Sequence, residues 1–300
     1  MYFRQKDNDI RNLLRSYNKI YSLLHELETD NNFLNQVRTP KLNDKQLVAL
    51  NLAAEGLGID SERYLFKQLP DELKPMIERS VYNRRRRALS FKIEEFRQKM
   101  SHQIVEFSEH HIIDSMPVEI CKFARANRSK VCRDTEDRSP NHGYCAAQKT
   151  HYFGYKLHAV CTASGVFKAF DITNASVHDI RYLNDVKAQF SNCVLIGDRG
   201  YLSREYQQDL FECNSISLAT PARKNRLNPQ PFSRSFSKAR KRIETLFSQP
   251  CDQFMIRRNY AKSFSGFATR IISKITALTV IQWINKRSGN NINNLKIVIS

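Results

Sequence analysis

The sequence predicts an α/β domain, a mixed β-sheet flanked by helices, that is preceded by an all-helical region. Through the first 100 residues, apolar side chains recur at the spacing of helices. From about residue 102 the spacing changes to that of strands. Short β-branched runs then alternate with helical stretches in the order three strands, helix, strand, helix, strand and helices, which is typical of a mixed sheet with helices on its faces.

Composition and charge narrow the class of protein. The 300 residues carry a net charge of +18, which favours a polyanionic partner. The hydrophobic fraction of 41% predicts a folded protein rather than a basic disordered chain. Seven cysteines, an odd number, indicate reduced thiols in a cytosolic protein. The longest apolar stretch, residues 271–284, is interrupted by Ser273 and Lys274, so we expect no membrane span.

The pattern of the N-terminal residues has the outline of a DNA-binding motif. Helices are expected over residues 7–27, 44–55 and 61–69, with a glycine turn over 56–59. Asp44 and Ser61 are the expected N-caps of the second and third helices. Helix, turn and helix in this order is the outline of a helix-turn-helix, although plain helical hairpins share it. Residues 41–93 are therefore a candidate DNA-binding segment.

A run of four arginines follows. A further helix is expected after Pro70, with Asp71 in its first turn, and it leads into Arg84, Arg85, Arg86 and Arg87. Four consecutive cations cover every side of a helical turn, so they cannot all belong to one salt-bridged stripe. In a chain with this excess of positive charge we interpret the run as a phosphate-contacting surface. The alternative is a solvated helix face.

The second part of the chain carries the strand signals. Strands are expected over residues 106–118, 152–161, 166–172, 192–197 and 216–219, helices over 174–189 and 203–212, and a final amphipathic helix over 264–285. A basic connector, residues 122–149, separates the first two strands. A zinc site formed by Cys121, Cys132, His142 and Cys145 is disfavoured because no Cys-x-x-Cys pair is present.

Three acidic residues lie where a sheet and a helix could bring carboxylates together. Asp114 and Asp198 follow β-branched runs that are typical of buried strands, and Glu244 lies in a predicted helix. A charge at the end of a central strand is costly unless a cation meets it. Three carboxylates at one point would form an oxygen cage for Mg²⁺ or Mn²⁺, which can hold the reacting oxygens of a phosphodiester. Taken singly, each acid is more often a turn or helix cap.

A cationic segment leads directly into Glu244. Residues 221–243 contain eight basic residues and no acid. We interpret this segment as a track that holds the DNA backbone. Its basic residues are Arg223, Lys224, Arg226, Arg234, Lys238, Arg240, Lys241 and Arg242.

Four motifs follow one another along the second part of the chain: Gly-Tyr-Lys-Leu-His at 154–158, Asn-Ala-Ser-Val-His-Asp at 174–179, Gly-Asp-Arg-Gly-Tyr at 197–201 and Arg-x-x-x-Glu at 240–244. In this order they resemble the motifs of bacterial insertion-sequence transposases of the DDE type, which share the ribonuclease H-like core of retroviral integrases. The resemblance covers about residues 104–285. It implies an end-binding helical region at 1–100, a ribonuclease H-like catalytic domain at 101–288 and a polar tail at 289–300.

The resemblance also assigns roles to residues. Asp114, Asp198 and Glu244 match the catalytic triad of the family, which implies two bound Mg²⁺ or Mn²⁺ ions. Arg240 precedes Glu244 by one helical turn and can reach a phosphate beside the metals. Lys156, within the first motif, is a further candidate for DNA contact.

Arg199 of the third motif is a further candidate DNA contact. The chain departs from the family at two other positions. The wider pattern Tyr-x2-Arg-x3-Glu-x6-Lys is broken because Ser237 and Cys251 occupy the Tyr and Lys positions, so the DNA-contacting role of that Lys cannot be transferred. For His178 and Asp179, helix capping is favoured over a role in the site.

The implied activity is cleavage at the ends of an insertion sequence and strand transfer into target DNA. The implied partners are terminal inverted repeats and target DNA, bound by a homodimer or a higher synaptic assembly in the bacterial cytoplasm, near the nucleoid. Two alternatives stay open. A decayed transposase acting only as a DNA-binding repressor would not require all three acids, and a ribonuclease H-like nuclease would cut DNA without joining it.

Overall fold

A computed structural model of the chain describes residues 2–222 and 232–295, with side chains from residue 12 on. The chain divides into two compact units. The helical unit comprises Met1–Ile104, Pro250–Asn259 and Ser265–Ser300, and the sheet unit comprises Val105–Gln249 and Tyr260–Phe264. The sequence-based division into an end-binding region and a catalytic domain concerns function, and it stays a prediction.

Nine α-helices and six strands lie within the described residues. The helices are α1 (Tyr2–Leu27), α2 (Asp44–Gly56), α3 (Glu62–Gln68), α4 (Arg79–Ala88), α5 (Ser90–Ile104), α6 (Leu183–Gln189), α7 (Arg204–Asn214), α8 (Arg234–Asp252) and α9 (Phe264–Arg287). The strands are β1 (His110–Cys121), β2 (Asn141–Cys145), β3 (Thr150–Thr162), β4 (Phe167–Asn174), β5 (Cys193–Ile196) and β6 (Ile216–Ala219). The mixed α/β class expected from the sequence is confirmed.

The start of α2 differs from the expectation by one residue. Asn43, and not Asp44, is the N-cap: its side chain accepts the N–H of Gln46 at 2.7 Å, and the Gln46 side chain accepts the N–H of Asn43 at 2.9 Å. This reciprocal pair is a capping box. Asp44 is buried instead and accepts the backbone N–H groups of Phe33 and Leu34 at 2.8 and 2.9 Å. Ser61 caps α3 as expected.

The helix expected directly after Pro70 begins later. A turn and a short 3₁₀ helix, Lys74–Met76, follow Pro70, and α4 begins only at Arg79. Pro75 explains the delay, because it has no N–H to donate and cannot continue an α-helical hydrogen-bond ladder.

Two of the four consecutive arginines have internal partners. Arg85 forms an ion pair with Asp44 at 2.6 Å, and Arg86 forms one with Glu62 at 2.6 Å; both guanidinium groups are buried. These pairs join α4 to α2 and α3. Within the run, Arg84 is exposed and Arg87 is half-buried. DNA contact by the run is untested, and the structure narrows the proposal to these two residues.

Helix α9 is a core helix of the helical unit. Its 24 residues are long and apolar enough to cross a membrane by length and composition, which the sequence analysis did not expect, but 78% of its apolar window is buried inside the protein. The helix carries a buried lysine, Lys274, which forms an ion pair with Glu55 at 2.7 Å and donates to the carbonyl of Phe254 at 2.6 Å.

The sheet unit is built on a mixed sheet of order β2-β3-β1-β5-β6, with β4 also paired to β3. Strand β3 is antiparallel to β1, β2 and β4, whereas β1, β5 and β6 are mutually parallel. This arrangement is compatible with a ribonuclease H-like fold. Strand β2 was missed because its five residues, Asn-His-Gly-Tyr-Cys, lack the apolar alternation of a strand and lie in the basic connector.

The core of the sheet unit fixes β1 against β5. Ile113, Leu195, Leu183 and Leu210 belong to one buried cluster that joins these strands to α6 and α7. Ile112 and Ile113 of β1 and Ile196 of β5 are buried, so a register slip would expose them. The parallel pairing of β1 and β5 is therefore set by packing.

We expect Lys274→Met to lower the free energy of unfolding of the helical unit by about 3 kcal/mol, because it leaves the Glu55 carboxylate buried without its partner. Urea unfolding followed by the fluorescence of Trp283, the one tryptophan of the chain, reports on this unit because Trp283 lies in α9.

The matched control is Lys74→Met. Lys74 pairs with Asp71 at 2.5 Å, but both side chains are largely exposed, and its loss should change the stability by less than about 0.5 kcal/mol. Equal destabilisation by the two substitutions would contradict the role assigned to Lys274.

Candidate functional site

Two of the three predicted acids lie at the same edge of the sheet. Strands β1 and β5 pair in parallel up to Ile112 and Ile196, and each acid follows two residues later, Asp114 within β1 and Asp198 just after β5. Because parallel strands point the same way, both carboxylates are delivered to one edge.

Backbone amides orient the two carboxylates. Asp114 accepts the N–H of Ser115 at 2.8 Å. Asp198 caps the 3₁₀ helix Arg199–Tyr201, and its Oδ1 accepts the N–H of Gly200 at 2.7 Å. Each acid therefore has one oxygen fixed by the local backbone, which leaves the other oxygen for a ligand.

The electrostatics of Asp114 show how closely charges gather here. Burial raises the pKa of this carboxyl to about 7. The N–H of Ser115 opposes the shift, the negative charges of Asp198 and Asp179 add to it, and the positive charge of Arg240 opposes it. Three acids thus share an environment with Arg240 of α8, and their combined negative charge suits a cation.

Asp179, interpreted from the sequence as a helix cap, lies close enough to Asp114 for its charge to act on that carboxyl. Its neighbour His178 has the expected capping role, since its Nδ1 accepts the N–H of Ile180 at 3.3 Å. Asp179 instead accepts the hydroxyl of Ser115 at 2.8 Å and forms an ion pair with Lys156 at 3.0 Å. Its presence in the Asn-Ala-Ser-Val-His-Asp motif was the available signal.

Gly200 marks the gap between Asp179 and Asp198. A Cβ atom at this position would lie 2.9 Å from Asp198 Oδ1 and 3.4 Å from Asp179 Oδ2. Any side chain there would crowd both carboxylates. The glycine of the Gly-Asp-Arg-Gly-Tyr motif therefore keeps the two acids close to the same point.

Lys156 is held inward by this network. Besides its ion pair with Asp179, its ammonium group donates to the carbonyl of Val177 at 2.8 Å. His158 packs beside it, 3.8 Å from Asp179, but burial lowers the pKa of the imidazole to about 4, so the ring is neutral at pH 7. Its Nε2 is 2.9 Å from the hydroxyl of Thr173. A DNA contact by Lys156 stays a prediction.

Helix α8 carries both Arg240 and Glu244. Arg240 is half-buried, and its charge acts on Asp114. Glu244 lies one turn later on the same helix and is exposed. Across residues 2–222 and 232–295, no group of three or more His, Cys, Asp or Glu side chains is arranged to hold a metal ion. A metal-binding role for Glu244 stays a prediction.

Four further residues are candidate DNA contacts. Arg199 is exposed directly beside Asp198. Arg223, Lys224 and Arg226 lie outside the described residues.

Comparison with known proteins identifies the family of the chain. Residues 106–280, more than half of the chain, match the family described as the transposase DDE domain. A search of curated proteins gives no match.

We expect Asp114→Asn to stabilise the metal-free protein more at pH 8 than at pH 5. A carboxyl in the unfolded chain titrates near pH 4, whereas in the fold its pKa is about 7. The folded state therefore holds this proton more tightly, and the wild-type protein loses stability as pH rises from about 4 to 7. Asn escapes that loss. The gain should grow by on the order of 2 kcal/mol, since the carboxyl is only partly buried.

Urea unfolding in EDTA at the two pH values measures the effect. The control is Asp137→Asn, which changes an exposed aspartate and should have the same small effect at both values. A pH-independent difference between Asp114→Asn and the wild type would contradict the burial assigned to Asp114.

Proposed function

The chain belongs to the family of transposases that carry a DDE domain, and we propose on this basis that it cleaves DNA at the ends of an insertion sequence and joins those ends to target DNA. The observation that supports the proposal most is the pair of acids at one edge of the sheet, Asp114 in β1 and Asp198 after β5. They lie close enough for the charge of Asp198 to raise the pKa of Asp114.

Transposases of this family generally use divalent metal ions, and the chemistry of the paired acids fits such an ion. The charge of Asp198 adds to the raised pKa of Asp114, so the pair carries negative charge that a cation would neutralise. Carboxylate oxygens are the ligands that Mg²⁺ and Mn²⁺ prefer. When bound, two such ions activate the attacking oxygen and stabilise the leaving oxygen of a phosphodiester.

We assign Glu244 as the third carboxylate of the site. Its support is position, because it lies one helical turn from Arg240, whose charge already reaches Asp114. In this scheme Arg240 binds a phosphate oxygen of the scissile strand. The protein supplies no nucleophile: water attacks first, and the freed 3′-hydroxyl then attacks target DNA.

A hydrogen-bond and ion-pair network of Ser115, Asp179 and Lys156 positions the acids. Ser115 joins Asp114 to Asp179, since its N–H donates to the first and its hydroxyl donates to the second. Lys156 forms an ion pair with the same Asp179 oxygen, Oδ1, that accepts the Ser115 hydroxyl. Asp179 is therefore a positioning residue in this proposal, and Lys156 keeps its negative charge matched.

DNA binding is divided between the two units. The helix-turn-helix segment, residues 41–93, would hold the terminal inverted repeats, with Arg84 and Arg87 contacting phosphates. The exposed Arg199 and the basic segment 221–243 would guide DNA to the acids. A homodimer or higher assembly would pair the two element ends, in the bacterial cytoplasm near the nucleoid.

We expect Asp198→Asn to keep affinity for end DNA within about twofold while it lowers cleavage on the order of 100-fold or more. Asn preserves the shape and still accepts the N–H of Gly200, but it loses the charge. Gel-shift and nicking assays on one preparation measure both activities. The control is Asp209→Asn, since Asp209 pairs with Lys187 at the surface. Equal loss of binding and cleavage would show that Asp198 is structural.

We expect Asp179→Asn to lower kcat for cleavage about 10-fold and to raise the Mg²⁺ concentration needed for half-maximal rate, with KM for DNA unchanged. The substitution leaves the positive charge of Lys156 without its partner beside the acids. That charge repels Mg²⁺ and so weakens its binding. The double variant Asp179→Asn, Lys156→Met removes that charge and should recover most of the Mg²⁺ dependence. No recovery in the double variant would reduce Asp179 to a structural role.

A further inference from the structure

A cluster of exposed aromatic rings lies on the sheet unit, in the basic connector and the strands around it. We call it the aromatic platform and define it by Phe123, His142, Tyr144 and His151. Ring centroids are separated by 4.9 Å between Tyr144 and His151, 5.4 Å between Phe123 and His142 and 6.0 Å between Phe123 and His151. The four rings therefore form one continuous surface.

The fold places these rings together. His142 and Tyr144 are two residues apart on β2, so their side chains point to the same face. His151 is the direct partner of Tyr144 in the β2–β3 ladder. Phe123 begins the 3₁₀ helix Phe123–Arg128 and lies against both histidines. The platform is thus formed by the pairing of β3 with β2, and β2 is the strand that was not predicted from the sequence.

The platform remains open to solvent. Phe123 is 48% exposed and Tyr144 is 53% exposed, and both histidines are exposed as well. Single exposed apolar residues are ordinary on protein surfaces, but contiguous exposed rings mark interaction sites. None of these rings has a part in the carboxylate site.

The charges of the segment that carries Phe123 indicate the chemistry of the partner. Residues 122–133 carry five basic residues and no acidic residue. All five are exposed: Lys122, Arg125, Arg128, Lys130 and Arg133. Aromatic rings beside a positively charged surface are the combination that binds single-stranded nucleic acid, since the bases stack on the rings and the phosphates meet the cations.

We propose that the aromatic platform stacks the bases of unpaired DNA, while the five basic residues hold its phosphates. The inference rests on the proposed function, because cleavage at an element end frees a strand whose terminal bases can unpair. Stacking tolerates any base, so binding should show little sequence preference. A second copy of this chain is the competing occupant, and the charge of residues 122–133 disfavours it.

Fluorescence anisotropy with a labelled oligo-dT of about 20 nucleotides tests the proposal. The variant Phe123→Ala, Tyr144→Ala should bind this strand about 10-fold or more weakly, because each stacked base contributes on the order of 1–3 kcal/mol. Its affinity for duplex DNA should change by less than about twofold. The slope of log affinity against log salt should not change, since no phosphate contact is removed.

Two further variants serve as controls. Phe123→Trp, Tyr144→Trp retains large rings and should retain binding of oligo-dT. Phe211→Ala removes a ring of α7 that is 64% exposed and lies outside the platform, and it should have no effect. Thermal unfolding of each variant establishes that the chain is folded.

Several outcomes would overturn the platform: no binding of oligo-dT by the wild type, an equal loss in Phe211→Ala, an equal loss for duplex DNA, or a changed mass by light scattering with unchanged oligo-dT affinity. The last would indicate an interface between copies. A nicking assay on end DNA separates this test from the proposed function. Ring-dependent oligo-dT binding without cleavage by the wild type would leave the platform standing and remove the function, whereas cleavage without ring dependence would do the reverse.

Discussion

The parallel pairing of β1 with β5 is the constraint on which the site depends. Ile113 of β1 and Leu195 of β5 are buried in one core, so packing fixes the register of the two strands and brings Asp114 and Asp198 to the same edge. The consequence is electrostatic. Two acids in a partly buried place repel each other, and burial together with that repulsion raises the pKa of Asp114. A bound cation would relieve this repulsion, so the metal-free site is suited to one. Gly200, which leaves room for Asp198 and Asp179, and the Asp179–Lys156 ion pair lie beside the acids.

The total of 48 lysines and arginines overstates the number of cations that are free to meet DNA. Several cations of the helical unit are used internally. Arg85 and Arg86 join α4 to its neighbours, and Lys274 pairs with Glu55 within the core. Such pairs contribute little net stability but are costly to break, since one partner is then left buried and charged. The exposed cations of the connector and of α8 are therefore the better candidates for contact with a polyanion.

Strong local patterns were enough to predict much of the fold. β-Branched runs located β1 and β5, and Ser61 located the start of α3, because these signals are set by near neighbours in the chain. Features that depend on distant partners were not predictable in this way. Strand β2 exists because β3 pairs with it. Asp44 is buried because Arg85, far along the chain, meets it. The position of Asp179 beside Ser115 likewise follows from the sheet, whereas its local pattern indicated only a cap.

The proposed function requires Asp114, Asp198 and Glu244 to hold two divalent metal ions at the scissile phosphate. Anomalous diffraction from crystals grown with Mn²⁺ and an end-DNA duplex tests this most directly. We expect Mn²⁺ peaks within coordination distance of the carboxylates of Asp114 and Asp198, with Glu244 completing the site beside the scissile phosphate. Ordered crystals in which DNA is bound and Mn²⁺ lies elsewhere, or in which the scissile phosphate lies away from these acids, would contradict the account.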